Sequence, residues 1–324
     1  MKLMELRMLN WWNIMSKLST KHFIGLKDAN ANDIKLIIDT ALTFREVLER
    51  PIKKIPSLKG KNIVNLFFEN STRTKLSFEL AEKRLSADVL NFSASSSSLN
   101  KGESLRDTVQ NIQAMKIDCA VMRHPVPGSC LKLTEYLDCP IVNAGDGTNE
   151  HPTQAMLDIT SIYEKFGNLK NLKVAIVGDI LHSRVAMSNI LGLQKMGAKV
   201  LLCGPPHLIP KYMTDFGVRI SHNIDETIEW ADVLNVLRIQ RERMGIGLVP
   251  SIREYRDLFG ITKDRLKALK KEIIIMHPGP INRGVEIDTY VADSNKSVIL
   301  NQVLNGVAVR MSILYLLLGA NINE

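Results

Sequence analysis

The sequence predicts an α/β protein of two doubly wound domains, each a mostly parallel sheet flanked by helices, with its ligand site in the crevice between them. Three observations lead there. The length of 324 residues, at roughly 150 per domain, gives about two domains. From about Lys61, short β-rich runs alternate with helical patterns, as parallel strands joined by crossover helices would. The run "FGNLKNLKVAIVGD" then restarts the pattern halfway along, like the first strand of a second sheet.

In chain order, the predicted strands of the first half are Asn62–Phe67, Asp88–Phe92, Asp118–Met122 and Pro140–Asn143. Those of the second half are Leu172–Val177, Lys199–Cys203, Val218–Ile220, Asp232–Leu237 and Glu272–Met276. Helices fill the gaps, among them Thr74–Leu85, Ser104–Met115 and Pro152–Phe166, where Pro152 suits a first helical turn. The halves are expected to meet along Pro152–Phe166. The last helix, Asn301–Leu318, is apolar on several sides and should be buried. Met1–Leu18 is apolar in places, but Glu5, Arg7, Asn10 and Asn13 interrupt it, so residues 1–20 read as an extension rather than a signal peptide. No apolar run is expected to approach the ~20 residues of a membrane span, so no membrane partner is foreseen.

Ligands of open α/β sheets bind beyond the carboxyl ends of strands, which makes the polar clusters after each strand the places to search. After Phe68 comes "ENSTRTKLSFE". Ser71, Thr72 and Thr74 offer hydroxyls, the helix start offers unpaired N–H groups, and Arg73 adds a planar fork that fits phosphate oxygens. Taken alone, such a run is more often an ordinary helix cap with a solvated arginine. Arg123, in "RHP" after Met122, stands where a second cation could meet the same anion, or where a surface charge would sit. "AGDGTNEHPTQ" is a Gly-rich turn leading into a helix. A histidine there is usually structural, yet His151 could donate to a developing oxyanion, and Gln154 has an acceptor carbonyl suited to an NH₂ group. In the second half, "GDILHSR" places Arg184 after a strand, and "RIQRER" does the same for Arg238, Gln240 and Arg243. "HPGPINRGVE" follows another strand with a Pro-Gly-Pro turn. Arginines converging from both halves imply ligands with several negative charges. No second His, Cys or carboxylate stands at ligand spacing from His151, so no metal is expected there.

Apolar and charged fractions of 45% and 23% are ordinary for a globular chain with a sizeable core. The net charge of +8 fits either a nucleic-acid binder or a site for small anions. Lys and Arg are spread along the chain without a long basic run or aromatic interleaving, which favours small anions over nucleic acid. Cys119, Cys130, Cys139 and Cys203 form no CxxC pair, and Cys119 and Cys203 lie in strand-like runs as buried free thiols would. That usage suits a reducing cytosol, so a cytoplasmic location is expected.

"FFENSTRTKLSFE", "KGESLRDT", "RHP", "NAGDGTNEHPTQ", "RIQRER" and "HPGPINRGVEID" stand in the order and spacing of the aspartate/ornithine carbamoyltransferase superfamily, which the chain resembles from about Lys21 onward. Three features look like the aspartate branch. Gly279 stands between Pro278 and Pro280 where ornithine enzymes typically carry "HCLP", and "RIQRER" occupies the place of their "SMG". Arg184 and Arg238 also suit a dicarboxylate better than an ammonium. The resemblance implies transfer of a carbamoyl group from carbamoyl phosphate to L-aspartate, a step of pyrimidine biosynthesis, with neither a metal nor an organic cofactor. Transfer to ornithine or another amine is the alternative within the family.

The same resemblance implies the parts. Residues 21–154, rejoined by the helix within 301–324, would bind carbamoyl phosphate, and residues 155–300 would bind aspartate. Ser71, Thr72, Arg73 and Thr74, helped by Arg123, would hold the phosphate. Thr74, Arg123 and His151 would polarise the carbamoyl carbonyl. Gln154, with backbone carbonyls near Pro278 and Gly279, would accept the carbamoyl NH₂, and Gly279 and Pro280 would wall the site. Arg184, Arg238 and Gln240 would hold the aspartate carboxylates, and Glu69 would bridge to Arg184 and Arg243 on domain closure. Ser97 and Lys101, in the run "SASSSSLNKGES", would reach a neighbouring subunit's site in a homotrimer; a separate regulatory chain is compatible with the same family. Asn100 and Gly279 depart from members that carry lysine and leucine there.

Overall fold

The computed structural model describes residues 17–93, 104–240, 251–269 and 271–319. Its first sheet has the order β2-β1-β3-β4, with β1 Asn62–Phe67, β2 Asp88–Ser93, β3 Cys119–His124 and β4 Ile141–Asp146. The second has the order β7-β6-β5-β8-β9, with β5 Lys173–Val177, β6 Lys199–Cys203, β7 Arg219–Ser221, β8 Val233–Val236 and β9 Ile274–Met276. Every neighbouring pair in both sheets is parallel. Each predicted strand is found, the largest difference being the end of β4, which runs on to Asp146. There Asp146 pairs back with Glu150 and holds the following turn in register.

Strand order decides where a ligand can sit. In the first sheet the winding reverses between β1 and β3, and in the second between β5 and β8. The carboxyl ends of strands on either side of such a reversal carry helices to opposite faces and leave a crevice. The chain beyond β1 holds Glu69 to Thr74, and beyond β3 it continues from Arg123. Beyond β5 lies Arg184, and beyond β8 lies Arg238. Thus Arg73, Arg184 and Arg238 follow, and Arg123 lies at the carboxyl end of, the four strands that flank the two switch points.

Helix Pro152–Phe166 begins with proline in its first turn and ends at Gly167 in a left-handed conformation. It packs on Ile299–Leu318 and on Arg184–Lys195, so it belongs by contact to both halves. The expected boundary between 154 and 155 falls inside this unbroken helix. Helix Ile299–Leu318 packs on Ala31–Leu48, Thr72–Arg84 and Pro152–Phe166 and is largely buried, as its composition foretold. It is also long and apolar enough to cross a membrane, which corrects the expectation that no run reaches that length. Three helices packed around it account for its apolarity. One apolar core runs from Ile63 of β1 through Ile159 and Leu314 to Val174 of β5 and so joins the halves. Separate clusters cover the outer faces of the two sheets. Cys119, Cys130 and Cys203 are buried and Cys139 is half-buried, all four unpaired.

Candidate active site

Two arginines share one carboxylate at the mouth of the crevice. Arg184 donates from Nη1 to Glu69 Oε2 at 3.0 Å and from Nη2 to Oε1 at 2.9 Å, while Arg123 Nη2 donates to Oε1 at 3.0 Å. Burial works against a charge on Glu69, but the hydrogen bonds from Arg184 and the charges of both arginines outweigh it and hold the carboxyl below its usual range. Two backbone carbonyls add to this: Ala144 O accepts from Arg123 Nη1 at 3.2 Å, and Gly147 O accepts from Arg184 Nη1 at 3.0 Å. The two guanidinium groups meet over Gly145. A Cβ there would stand 3.2 Å from Arg184 Cζ and 3.3 Å from Arg123 Nη1, and φ of +118° disfavours any side chain. Glu69 thus meets Arg184, one of the two arginines expected to hold it on domain closure, and Arg123 beside it.

Arg73 lies in the first turn of helix Thr72–Arg84, near the exposed surface of the crevice. Ser71 is the N-cap residue, yet its side chain makes no capping bond, so its hydroxyl is not spent on the helix. Thr74, in the same first turn, is buried. The guanidinium of Arg73 packs against the other half of the molecule: a Cβ on Gly279, whose φ is +68°, would stand 3.4 Å from Arg73 Cζ. Partial burial, and then the like charge of Arg238 reaching from the end of β8, lower the Arg73 pKa. Gathering arginines in this way costs Coulomb energy that an anionic ligand offsets.

His151 is buried at the start of helix Pro152–Phe166, and its Nδ1 has no partner among the described residues. Burial, then the charges of Arg123, Arg184 and Arg310, push its pKa well below the ordinary value, so the imidazole is neutral at pH 7 and can donate one N–H. Its backbone is anchored across the crevice: His151 N donates to Ser188 Oγ at 2.9 Å, and Ser188 Oγ donates to Glu150 Oε2 at 2.9 Å. Gln154 donates from Nε2 to Asp158 Oδ1 at 3.0 Å. An amide whose NH₂ is spent on a carboxylate turns its carbonyl oxygen the other way.

In the second half, Gln240 Nε2 donates to His182 O at 2.9 Å, and His182 Nδ1 lies 2.9 Å from Asp179 Oδ1. These bonds tie "RIQ" to the loop that leads to Arg184. The turn at Pro278–Pro280 contains a cis Gly279–Pro280 bond. Its Gly279 N donates to His277 Nδ1 at 2.8 Å, which puts the His277 proton on Nε2, 3.2 Å from Glu286 Oε1. Ser97, Lys101 and Arg243 lie outside the described residues.

Asp158, His277, Glu286 and Arg310 were not singled out from sequence, although all four are buried around the crevice. One signal was available: Gln154 and Asp158 are four apart on one helix, the spacing at which an amide and a carboxylate meet. His277 and Glu286 are the two ends of the run "HPGPINRGVE", which carries its own signal, whereas nothing local marks Arg310.

Two parallel α/β domains thus bring arginines, a neutral imidazole and an oriented amide to one crevice, which defines a site for group transfer between small anions. Residues 21–164 match the family model described as aspartate/ornithine carbamoyltransferase, carbamoyl-P binding domain, and residues 170–317 match the Asp/Orn binding domain of the same family. The chain belongs to the aspartate/ornithine carbamoyltransferase family. It is 60% identical over 303 residues to the aspartate carbamoyltransferase catalytic subunit of Flavobacterium psychrophilum, covering 94% of this chain and 98% of that one. Among solved structures it is similar to the catalytic subunit of M. jannaschii aspartate transcarbamoylase, with a TM-score of 0.81, 36% identity and coverage of 94% and 100%. It is likewise similar to Trypanosoma cruzi aspartate transcarbamoylase in complex with carbamoyl phosphate and aspartate, with a TM-score of 0.82, 30% identity and coverage of 92% and 97%.

Proposed function

We propose that the chain transfers the carbamoyl group of carbamoyl phosphate to the amino group of L-aspartate, giving N-carbamoyl-L-aspartate and phosphate. The observation that carries this reading is the two-sided gathering of arginines around His151 and Gln154. Arg73 and Arg123 come from the sheet side matched by the carbamoyl-P binding model, and Arg184 and Arg238 from the other. In this reading Ser71, Thr72, Arg73 and Thr74 hold the phosphate, and Gln154 accepts from the carbamoyl NH₂. The aspartate amine attacks the carbamoyl carbon, forming the C–N bond and a tetrahedral oxyanion, whose collapse breaks the C–O bond to phosphate. His151 donates its N–H to the tetrahedral oxyanion, and the departing phosphate takes the amine proton. Catalysis here is positioning and electrostatics. Phosphate release from carbamoyl phosphate should rise with L-aspartate and not with L-ornithine. Stimulation by ornithine alone would reverse the substrate assignment.

A homotrimer with shared sites is part of the proposal. Leu76 and Leu80 on helix Thr72–Arg84, and Leu90 on the edge strand β2 beside it, are exposed. Apolar side chains on one face next to the site are what a subunit contact would cover. If Lys101 of one chain completes the site of the next, inactive Lys101→Ala and Arg73→Ala chains should regain activity when refolded together. Hybrid trimers, confirmed by mass, that stay inactive would show that each site is built within one chain. Cytosolic residence is proposed from the four unpaired thiols, and recovery of the chain in an exported fraction would overturn it.

A further inference from the structure

Asp158 lies in helix Pro152–Phe166, fully buried and one turn beyond Gln154. Its Oδ1 accepts from Gln154 Nε2 at 3.0 Å and from Gln302 Nε2 at 2.8 Å. Its Oδ2 accepts from Asn189 Nδ2 at 2.8 Å and from Asn235 Nδ2 at 3.2 Å. These donors come from its own helix, from Ile299–Leu318, from Arg184–Lys195 and from β8, and so from both halves of the molecule. An ionised carboxylate only accepts and has about four lone-pair sites, so four amides saturate it. Gln302 carries the connection further. Its Oε1 accepts from His277 N at 2.9 Å, and His277 Nδ1 accepts from Gly279 N at 2.8 Å. A continuous chain of hydrogen bonds therefore runs from the Gln154 amide through Asp158, Gln302 and His277 to the backbone of Gly279.

We propose that Asp158 is a positioning residue for carbamoyl phosphate: it fixes the acceptor face of Gln154 and, through Gln302 and His277, the carbonyls of the Pro278–Gly279 turn. This rests on reading the crevice as a carbamoyl-transfer site. The physical reason lies in the symmetry of a primary amide. Oxygen and NH₂ are nearly the same size, so packing alone does not choose between the two orientations of Gln154. A partner that only accepts does choose, because the flipped amide would set oxygen against oxygen in a buried place. The orientation it enforces leaves the Gln154 carbonyl for a ligand NH₂. Inorganic phosphate has no NH₂, so its binding does not depend on that choice.

Asp158→Asn keeps the shape but supplies an NH₂ of its own, which lets Gln154 flip and present a donor to the ligand's donors. In calorimetry this variant should bind carbamoyl phosphate about tenfold to a hundredfold more weakly, the scale of a buried polar mismatch. Its affinity for inorganic phosphate should stay within about twofold of wild type. In a Gln154→Ala background the same change should add less than about twofold. Equal weakening of both ligands, or full additivity with Gln154→Ala, would make Asp158 a structural hub only and overturn the proposal. If Asp158→Asn does not fold, Gln302→Met cuts the link to His277 alone. That variant should lose part of the preference for carbamoyl phosphate over phosphate, and an unchanged preference would equally overturn the proposal. Binding is read without turnover, so the two readings fail separately. A wild-type chain that selects carbamoyl phosphate but never carbamoylates aspartate would refute the reaction and leave the positioning role standing.

Discussion

Replacing His151 with alanine is expected to lower turnover about 10²–10³-fold, the loss that follows removal of one donor from a developing oxyanion. The structure supplies the reasons for so large an effect. His151 is buried, neutral and held by its backbone to Ser188, so its N–H costs no reorganisation when charge develops. Burial, and then the charges of Arg123 and Arg184, keep it unprotonated, which also means that it does not act as a cation toward the phosphate. Substrate affinities should therefore change far less than kcat. Steady-state rates with both substrates varied give the split directly. Turnover within a factor of two of wild type would remove His151 from the chemistry.

Arg238→Ala is expected to reduce kcat/KM for aspartate about tenfold to a hundredfold, because a charge-assisted contact to a carboxylate is worth about 1.5–3 kcal/mol. Carbamoyl phosphate binding should be nearly unchanged. Arg238 follows β8 in the second sheet, while the hydroxyls and N–H groups assigned to phosphate open the helix after β1 in the first. Arg73 itself rests against Gly279 of the second half, and burial and then the like charge of Arg238 lower its pKa. A double titration, aspartate against fixed carbamoyl phosphate and the reverse, separates the two affinities. Equal losses in both would assign Arg238 to the phosphate.

Much of this was legible before any coordinates. The nine strands could be read because parallel strands buried on both faces leave uninterrupted apolar runs, and β3 and β4 show almost every residue buried. Helix Pro152–Phe166 could be read to the residue, because Pro152 starts it and Gly167 stops it. Ser71 to Thr74, Arg123, His151, Gln154, Arg184 and Arg238 could be read as candidates, because each follows a strand end, where open sheets bind ligands. The length of the apolar C-terminal helix was underestimated, since Asn301, Asn305 and Arg310 break its hydropathy although Asn305 and Arg310 are buried.

The sequence by itself therefore determined the elements, their alternation and the residue types at the mouth of the crevice, all of which depend on neighbours within a turn or a strand. Only the tertiary structure decided who meets whom. Glu69 finds Arg184 from 115 positions away, and Asp158 finds Gln302 from 144. Arg73 comes to rest on Gly279 from the opposite domain. Such partners are chosen by sheet order and helix packing, which bring distant segments to the same few ångströms. Burial then makes the choice strict, since a carboxylate or amide withdrawn from water is stable only where its hydrogen bonds are met.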